Sequence, residues 1–236
     1  MSTFSLETIG TIHSPWKEKF AVPRQPGLVT AMGAELELHA PYNQLDAVRG
    51  LENFSHLWLI FIFHQTQHQG WKPLVRPPRL GGNDKIGVFA SRSTFRPNPL
   101  GMSLVEFKGI RYEKKRLFLK LGSVDLVEGT PVVDIKPYLP FAESLPHAHA
   151  GYAQSTPDAS MPVSFNADAQ HHLSNHAVTH PELAQFIQQV LAQDPRPAYR
   201  RNQEDHHFYA ASLSDFTVRW RITPMGTEVI AIEPMN

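Results

Sequence analysis

Three short segments of the chain lock an arginine between or beside prolines. Residues 87–101 read GVFASRSTFRPNPLG, with Arg92 and Arg96 four residues apart and Asn98 bracketed by Pro97 and Pro99. Each proline fixes its own φ and pushes the preceding residue toward extended backbone, so the loop is stiff from Arg96 to Pro99. A stiff loop carrying two guanidiniums suits an anionic or planar ligand. A proline-rich connection with two solvated arginines is the plainer alternative. The pattern returns at residues 23–27, PRQPG, which pins Arg24 and Gln25, and at residues 194–199, DPRPAY, which pins Arg196 next to Tyr199. Proline after a helix is an ordinary stop signal, but a stop signal needs neither the arginine nor the tyrosine. Tyr199-Arg200-Arg201 adds a stacking and phosphate-binding surface.

Other groups invite weaker readings. Asp125-Leu126-Val127-Glu128 is an acidic loop between strands; its carboxylates suit hydroxyl and amino donors of a ligand, or it is an ordinary turn. His64, followed by Gln65, ends an apolar run, a common place for a binding group. The 13 histidines include pairs four apart, His64/His68, His172/His176 and His176/His180, as a metal-binding helix face would have. No H-E-x-x-H accompanies them, so surface histidine is the better reading and no metal is expected. Asp205-His206-His207 resembles a phosphoesterase fragment by chance alone. G-x-G-x-x-G and Walker A sequences are absent, so any nucleotide-like ligand is held by a device other than a Rossmann turn.

The elements that must position these groups read mainly as strands. Residues 6–12 and 34–39 alternate like half-buried strands. Residues 56–63, HLWLIFIF, read as a central strand buried on both faces. Further strands are expected at 86–90, 103–108, 117–121 and 132–135, and a short helix at 42–49. This favours a β-barrel N-terminal domain over residues 1–142. Residues 143–165 read as linker. Residues 166–236 read as a small α+β C-terminal domain, with a helix at 181–193 started by a Thr179/Glu182 capping box and a closing β-hairpin at 215–222 and 227–232.

Composition bounds the partners. Of 236 residues, 22 are Lys or Arg and 22 are Asp or Glu, yet residues 1–142 hold 17 basic against 12 acidic groups and residues 143–236 hold 5 against 10. A basic first half suits a polyanion. The absence of cysteine excludes thiol chemistry and disulfides and fits a reducing compartment. The N-terminal residues lack the pattern of a secretory signal, and the longest apolar run is too short to span a bilayer. A cytoplasmic protein without membrane association is expected.

Taken together and in this order, PRQPG, FHQ at 63–65, SRSTFRPNPLG at 91–101, GTPVVDIKPY at 129–138 and DPRPAY resemble the TsaA-like family of tRNA methyltransferases. Leu100, Met102 and Glu128 depart from the residues common there, without loss of a charged or aromatic group. The resemblance implies a homodimeric β-barrel enzyme that uses S-adenosyl-L-methionine to methylate N6 of N6-threonylcarbamoyladenosine beside the anticodon of tRNA. It implies a cofactor site of Pro23, Arg24, Gln25, His64, Gln65, Arg92, Met102 and Asp125 to Glu128, and a substrate site that includes residues 194–199. Tyr199, Asp194 and Arg196 are the expected catalytic groups, and Arg96, Lys136 and Arg200 the expected contacts to RNA. A non-catalytic RNA-binding module that senses the modified base is the alternative.

Overall fold

The structure is a computed structural model that describes residues 3–81, 83–197, 200–201 and 205–235. Strands β1 (Gly10–His13), β2 (Ala34–Leu38), β3 (His56–Ile62), β4 (Leu74–Val75), β5 (Ile86–Gly87), β6 (Leu100–Glu113), β7 (Arg116–Leu121) and β8 (Pro131–Pro137) make up the first part. Six of them close on themselves in the order β1-β2-β7-β6-β3-β8, each antiparallel to its neighbours. Period-two alternation fills the interior with Leu36, Leu57, Leu59, Val105, Leu117 and Leu119, all fully buried. The long β6 bends at a bulge between Phe107 and Gly109, where φ of +117° suits glycine.

Three strand expectations and one helix need correction. β3 is not buried on both faces: Leu57, Leu59 and Phe61 point inward, while Trp58 and Ile60 are only half-buried. Its outer residues are apolar because they form a cavity wall. The segment at 86–90 keeps only two strand residues, paired with β4 in a separate ribbon, and then tightens into a 3-10 turn. The first strand begins at Gly10 rather than at residue 6, and residues 42–49 hold a 3-10 turn at Leu45–Val48.

A single helical turn, α1 (Pro140–Glu143), leads toward β9 (Val163–Phe165), α2 (Ala167–His176), α3 (Leu183–Ala192), β10 (Phe208–Leu213), β11 (Phe216–Thr223) and β12 (Gly226–Pro234). These strands form a sheet in the order β10-β11-β12-β9, with β9 parallel to β12. α3 buries Leu183, Phe186, Ile187, Val190 and Leu191, as its spacing predicts. The capping box does not form: Glu182 is itself the N-cap without a side-chain bond, and Thr179 donates back to the His176 carbonyl at 3.3 Å. α2 escaped the sequence reading because ADAQHHLSNH has almost no apolar face; Asn166 caps it by accepting from the Ala169 N–H at 2.8 Å. No helix among the described residues is long and apolar enough to cross a membrane.

One buried cluster runs through both sets of elements. Its join is Trp16, on the connection between β1 and β2. The Trp16 ring packs on Phe186 of α3 at 5.1 Å, its Nε1 donates to the Val124 carbonyl at 2.8 Å, and its backbone bridges to Leu213 of β10. Further along, Phe20 stacks on Trp220 at 5.9 Å, and Glu18 accepts the Ser212 N–H at 2.7 Å. Trp16→Ala is expected to destabilise the fold by about 3–5 kcal/mol, with Trp16→Phe milder. Denaturant unfolding checks this, and an unchanged midpoint for the alanine variant would contradict the placement of the join.

Candidate functional site

A cavity of about 560 Å³ lies against β3 and is shaped by the cross-strand register. Ile60 stands opposite Met102 and Trp58 opposite Lys136, so these four side chains share one face and line the cavity. Trp58 Nε1 donates to Glu143 of α1 at 3.0 Å, which ties the helical turn to the wall. Phe61 and Phe63 meet edge to face at 5.2 Å, and Gly101 passes beneath them. A Cβ on Gly101 would sit 2.3 Å from the Phe61 ring, so this position must lack a side chain.

Two of the proline-bearing loops close the cavity together. Arg92 Nη1 donates to Gln25 Oε1 at 2.8 Å and cross-links residues 91–101 to residues 23–27. Arg96 turns back on its own loop: its Nη1 donates to the carbonyls of Ser91 at 2.8 Å and Val88 at 3.2 Å. It therefore holds the loop's shape while also facing the cavity. Asp125 faces the cavity from the core side, where it accepts from the Ser103 hydroxyl at 2.5 Å. Burial pushes the Asp125 carboxyl up to about 6, against the opposing pull of the Ser103 hydrogen bond and the Arg92 charge. An apolar wall, a half-buried carboxylate and a fixed amide–guanidinium pair are suited to a ligand with a planar ring and polar arms.

The structure gathers Pro23, Arg24, Gln25, Arg92, Met102 and Asp125 here, with Arg96 and Lys136, which were assigned to RNA. Lys136 is also paired with Asp134 at 2.9 Å. Other expected members point elsewhere. Leu126 is buried in the core, where its carbonyl accepts from Ser14 Oγ at 2.7 Å, and the Val127 carbonyl accepts from Thr130 in a turn. Glu128 faces away: it accepts from the Ser14 N–H at 2.6 Å and meets His13 Nδ1 at 3.0 Å. Alternating backbone direction explains why only one carboxylate of that loop reaches the cavity. His64 and Gln65 follow Phe63 but lie outside the cavity lining. Burial above all, with Lys19 nearby, holds the His64 imidazole below its ordinary value, and the Gln65 carbonyl accepts from Lys19 Nζ at 3.1 Å. The sequence reading missed Trp58, Ile60, Ser103 and Glu143; the continuous apolar run of β3 gave no sign of which face the first two take.

The third proline-bearing segment is built differently. Arg196 is only 3 % exposed and forks onto both oxygens of Asp194, at 2.7 and 2.8 Å, with Asp205 Oδ2 at 3.3 Å from its Nη1. Burial opposes ionisation of Asp205, but hydrogen bonds from Tyr209, His207 and Arg196 hold it below the usual carboxylate range. Arg201 donates to the Asp194 carbonyl at 2.6 Å. Asp194 and Arg196 thus pair with each other, and with Asp205 two carboxylates surround one buried guanidinium. Arg200 follows on the same segment, where its carbonyl accepts from Arg196 at 3.4 Å. Tyr199 lies outside the described residues. His176 and His180 pack on the Phe216 ring at 4.8 and 5.0 Å. Among the described residues, no three His, Asp or Glu side chains are placed to hold a metal.

The family model of the tRNA-methyltransferase O N-terminal domain matches residues 11–144, and that of the TrmO C-terminal domain matches residues 158–235. The chain is 64% identical over 234 residues to the tRNA (adenine(37)-N6)-methyltransferase of Escherichia coli (strain K12), covering 99% of this chain and 100% of that protein. It is 45% identical over 219 residues, 92% of each chain, to RcsF of Pseudomonas aeruginosa PAO1, named a putative S-adenosylmethionine-dependent methyltransferase. The crystal structure of TrmO from Pseudomonas aeruginosa superimposes with a TM-score of 0.79 at 37% identity, covering 98% of both chains. Matched along both of its parts, the chain belongs to the TrmO family.

Proposed function

We propose that the protein is a tRNA methyltransferase that moves a methyl group from S-adenosyl-L-methionine to N6 of the adenosine next to the anticodon. The full-length likeness to an enzyme named for that reaction carries the reading, and the cavity supports it. When bound, the cofactor supplies an electrophilic methyl on a sulfonium with a good leaving group. The cavity's volume, its apolar wall of Trp58, Ile60 and Met102, and the half-buried Asp125 carboxylate fit that molecule. Asp125 would accept from ligand amino or hydroxyl groups, and Gln25 with Arg92 would clamp a polar arm.

The substrate we infer is N6-threonylcarbamoyladenosine. Its N6 shares a lone pair with the ring and a carbonyl, so it is a poor nucleophile with a more acidic N–H. A base, or a cation on the carbamoyl oxygen, should help. Tyr199 is the proposed base. Asp194 and Arg196 act as positioning residues that fix the segment carrying it, rather than as catalytic groups. We also read the closed six-stranded sheet as a barrel that forms a cofactor domain over residues 1–142, with residues 166–236 as the substrate-side domain. The protein works in the cytoplasm as a homodimer, and exposed Phe141 and Leu145 suit an interface between copies.

Incubating the purified protein with methyl-labelled cofactor and threonylcarbamoylated tRNA should place label on N6 of that nucleoside. RNA binding without label would leave only a sensing module. Because ionised Asp125 is the binding form, cofactor affinity should rise as pH climbs through about 6. Asp125→Asn should flatten that rise, and an identical pH profile in the variant would count against it. Arg196→Ala should lower thermal stability by about 3–5 kcal/mol through the orphaned Asp194 and Asp205. A variant that loses methyl transfer at unchanged melting temperature would instead make Arg196 catalytic.

A further inference from the structure

Arg24 belongs to two cavities. Besides the one against β3, it lines a second of about 580 Å³, where the β1–β2 connection meets the segment after α3. Among the described residues, four cations line this second cavity: Lys19 and Arg24 from the connection, Arg79 from the turn at Pro78–Leu80, and Arg201; the carboxylates among them are Asp158 and Asp194. Asp194 is already forked by Arg196, and its ion pair with Arg201 Nε is loose at 3.8 Å. Asp158 accepts from its neighbour Ser160 at 2.8 Å.

Arg79 and Lys19 are bonded to neutral groups. Arg79 Nη2 donates to the carbonyl and hydroxyl of Ser155, the latter at 3.2 Å. Lys19 donates to the Gln65 carbonyl at 3.1 Å. Arg201 Nε is buried without a hydrogen-bond partner among the described residues. Burial first, then the charges of Arg201 and Arg79, push the Arg24 guanidinium below its ordinary value. Guanidiniums gathered this closely, with Asp194 already shared between Arg196 and Arg201, repel one another less when a further anion joins them.

We infer that this cleft is an oxyanion subsite for the substrate RNA. It takes a negatively charged oxygen of the RNA strand, either a backbone phosphate beside the target adenosine or the carboxylate that the threonyl group adds to it. Either anion accepts forked hydrogen bonds from arginine. Arg24, shared by both cavities, would then couple RNA seating to the cofactor side. The inference rests on the methyl-transfer reading.

Arg79 lines this cleft and not the cofactor cavity, so it isolates the subsite. The experiment measures binding of anticodon stem-loop RNA, with and without the threonylcarbamoyl group, to wild type and Arg79→Gln, and titrates each protein with S-adenosyl-L-methionine. Arg79→Gln should weaken the modified RNA about tenfold and leave cofactor affinity unchanged, which also certifies the fold. A phosphate contact weakens both RNAs alike and reduces the slope of log affinity against log salt by about 0.7–0.9. A carboxylate contact weakens only the modified RNA. Unchanged affinity for both RNAs overturns the subsite. Should Arg79→Gln fail to bind cofactor, Lys19→Gln is read in the same way. Wild type that methylates tRNA while the variant matches it in binding sinks the subsite alone; wild type that transfers no methyl sinks the reading beneath it.

Discussion

The burial of Trp16 sets the position of nearly everything that matters in this molecule. The connection between β1 and β2 leaves the closed sheet, drops one large aromatic against α3, and is then held by the Phe20 stack on Trp220. From that anchor it delivers Lys19, Arg24 and Gln25 to the place where both cavities meet. A surface connection with no such anchor would sample many arrangements. Here its course is fixed by the same core that holds the two sheets together.

The two cavities differ in what they contain, and the difference suggests a division of labour. The one against β3 is apolar on one wall and carries a mostly buried carboxylate at Asp125. The other collects basic side chains whose nearest acid, Asp194, is committed to Arg196. The apolar wall and Asp125 suit a cofactor with rings and polar arms in a cavity that Arg24, Arg92, Arg96 and Lys136 also line, and the basic cleft suits an anionic polymer. The internal pairing of Asp194 with Arg196 stiffens the segment after α3, where Arg201 also bonds the Asp194 carbonyl and lines the cleft.

Much of this was legible in the residues. Proline spacing marked all three arginine segments, and each of the six strands of the closed sheet overlaps a strand expected from the sequence, two of them from alternation. Where the sequence misled, it did so for physical reasons. HLWLIFIF is apolar throughout because it faces a core on one side and a cavity on the other, and composition alone cannot separate those. Arg196 looked like Arg92 because proline flanks both, yet burial gives it carboxylate partners where Arg92 has an amide. Glu128 and Asp125 sit three apart in one acidic loop, but the turn sends their side chains to opposite sides. The cleft around Arg79 combines four separate stretches of chain and left no local signal.

The central claim is that the cavity against β3, rather than any other, holds the methyl donor. A crystal structure of the protein with S-adenosylhomocysteine tests it most directly. The account predicts the ligand against Trp58 and Ile60, with a polar group on Asp125 and another on Gln25. Ligand density beside His13 and Glu128, or in the basic cleft with the β3 cavity empty, would contradict it.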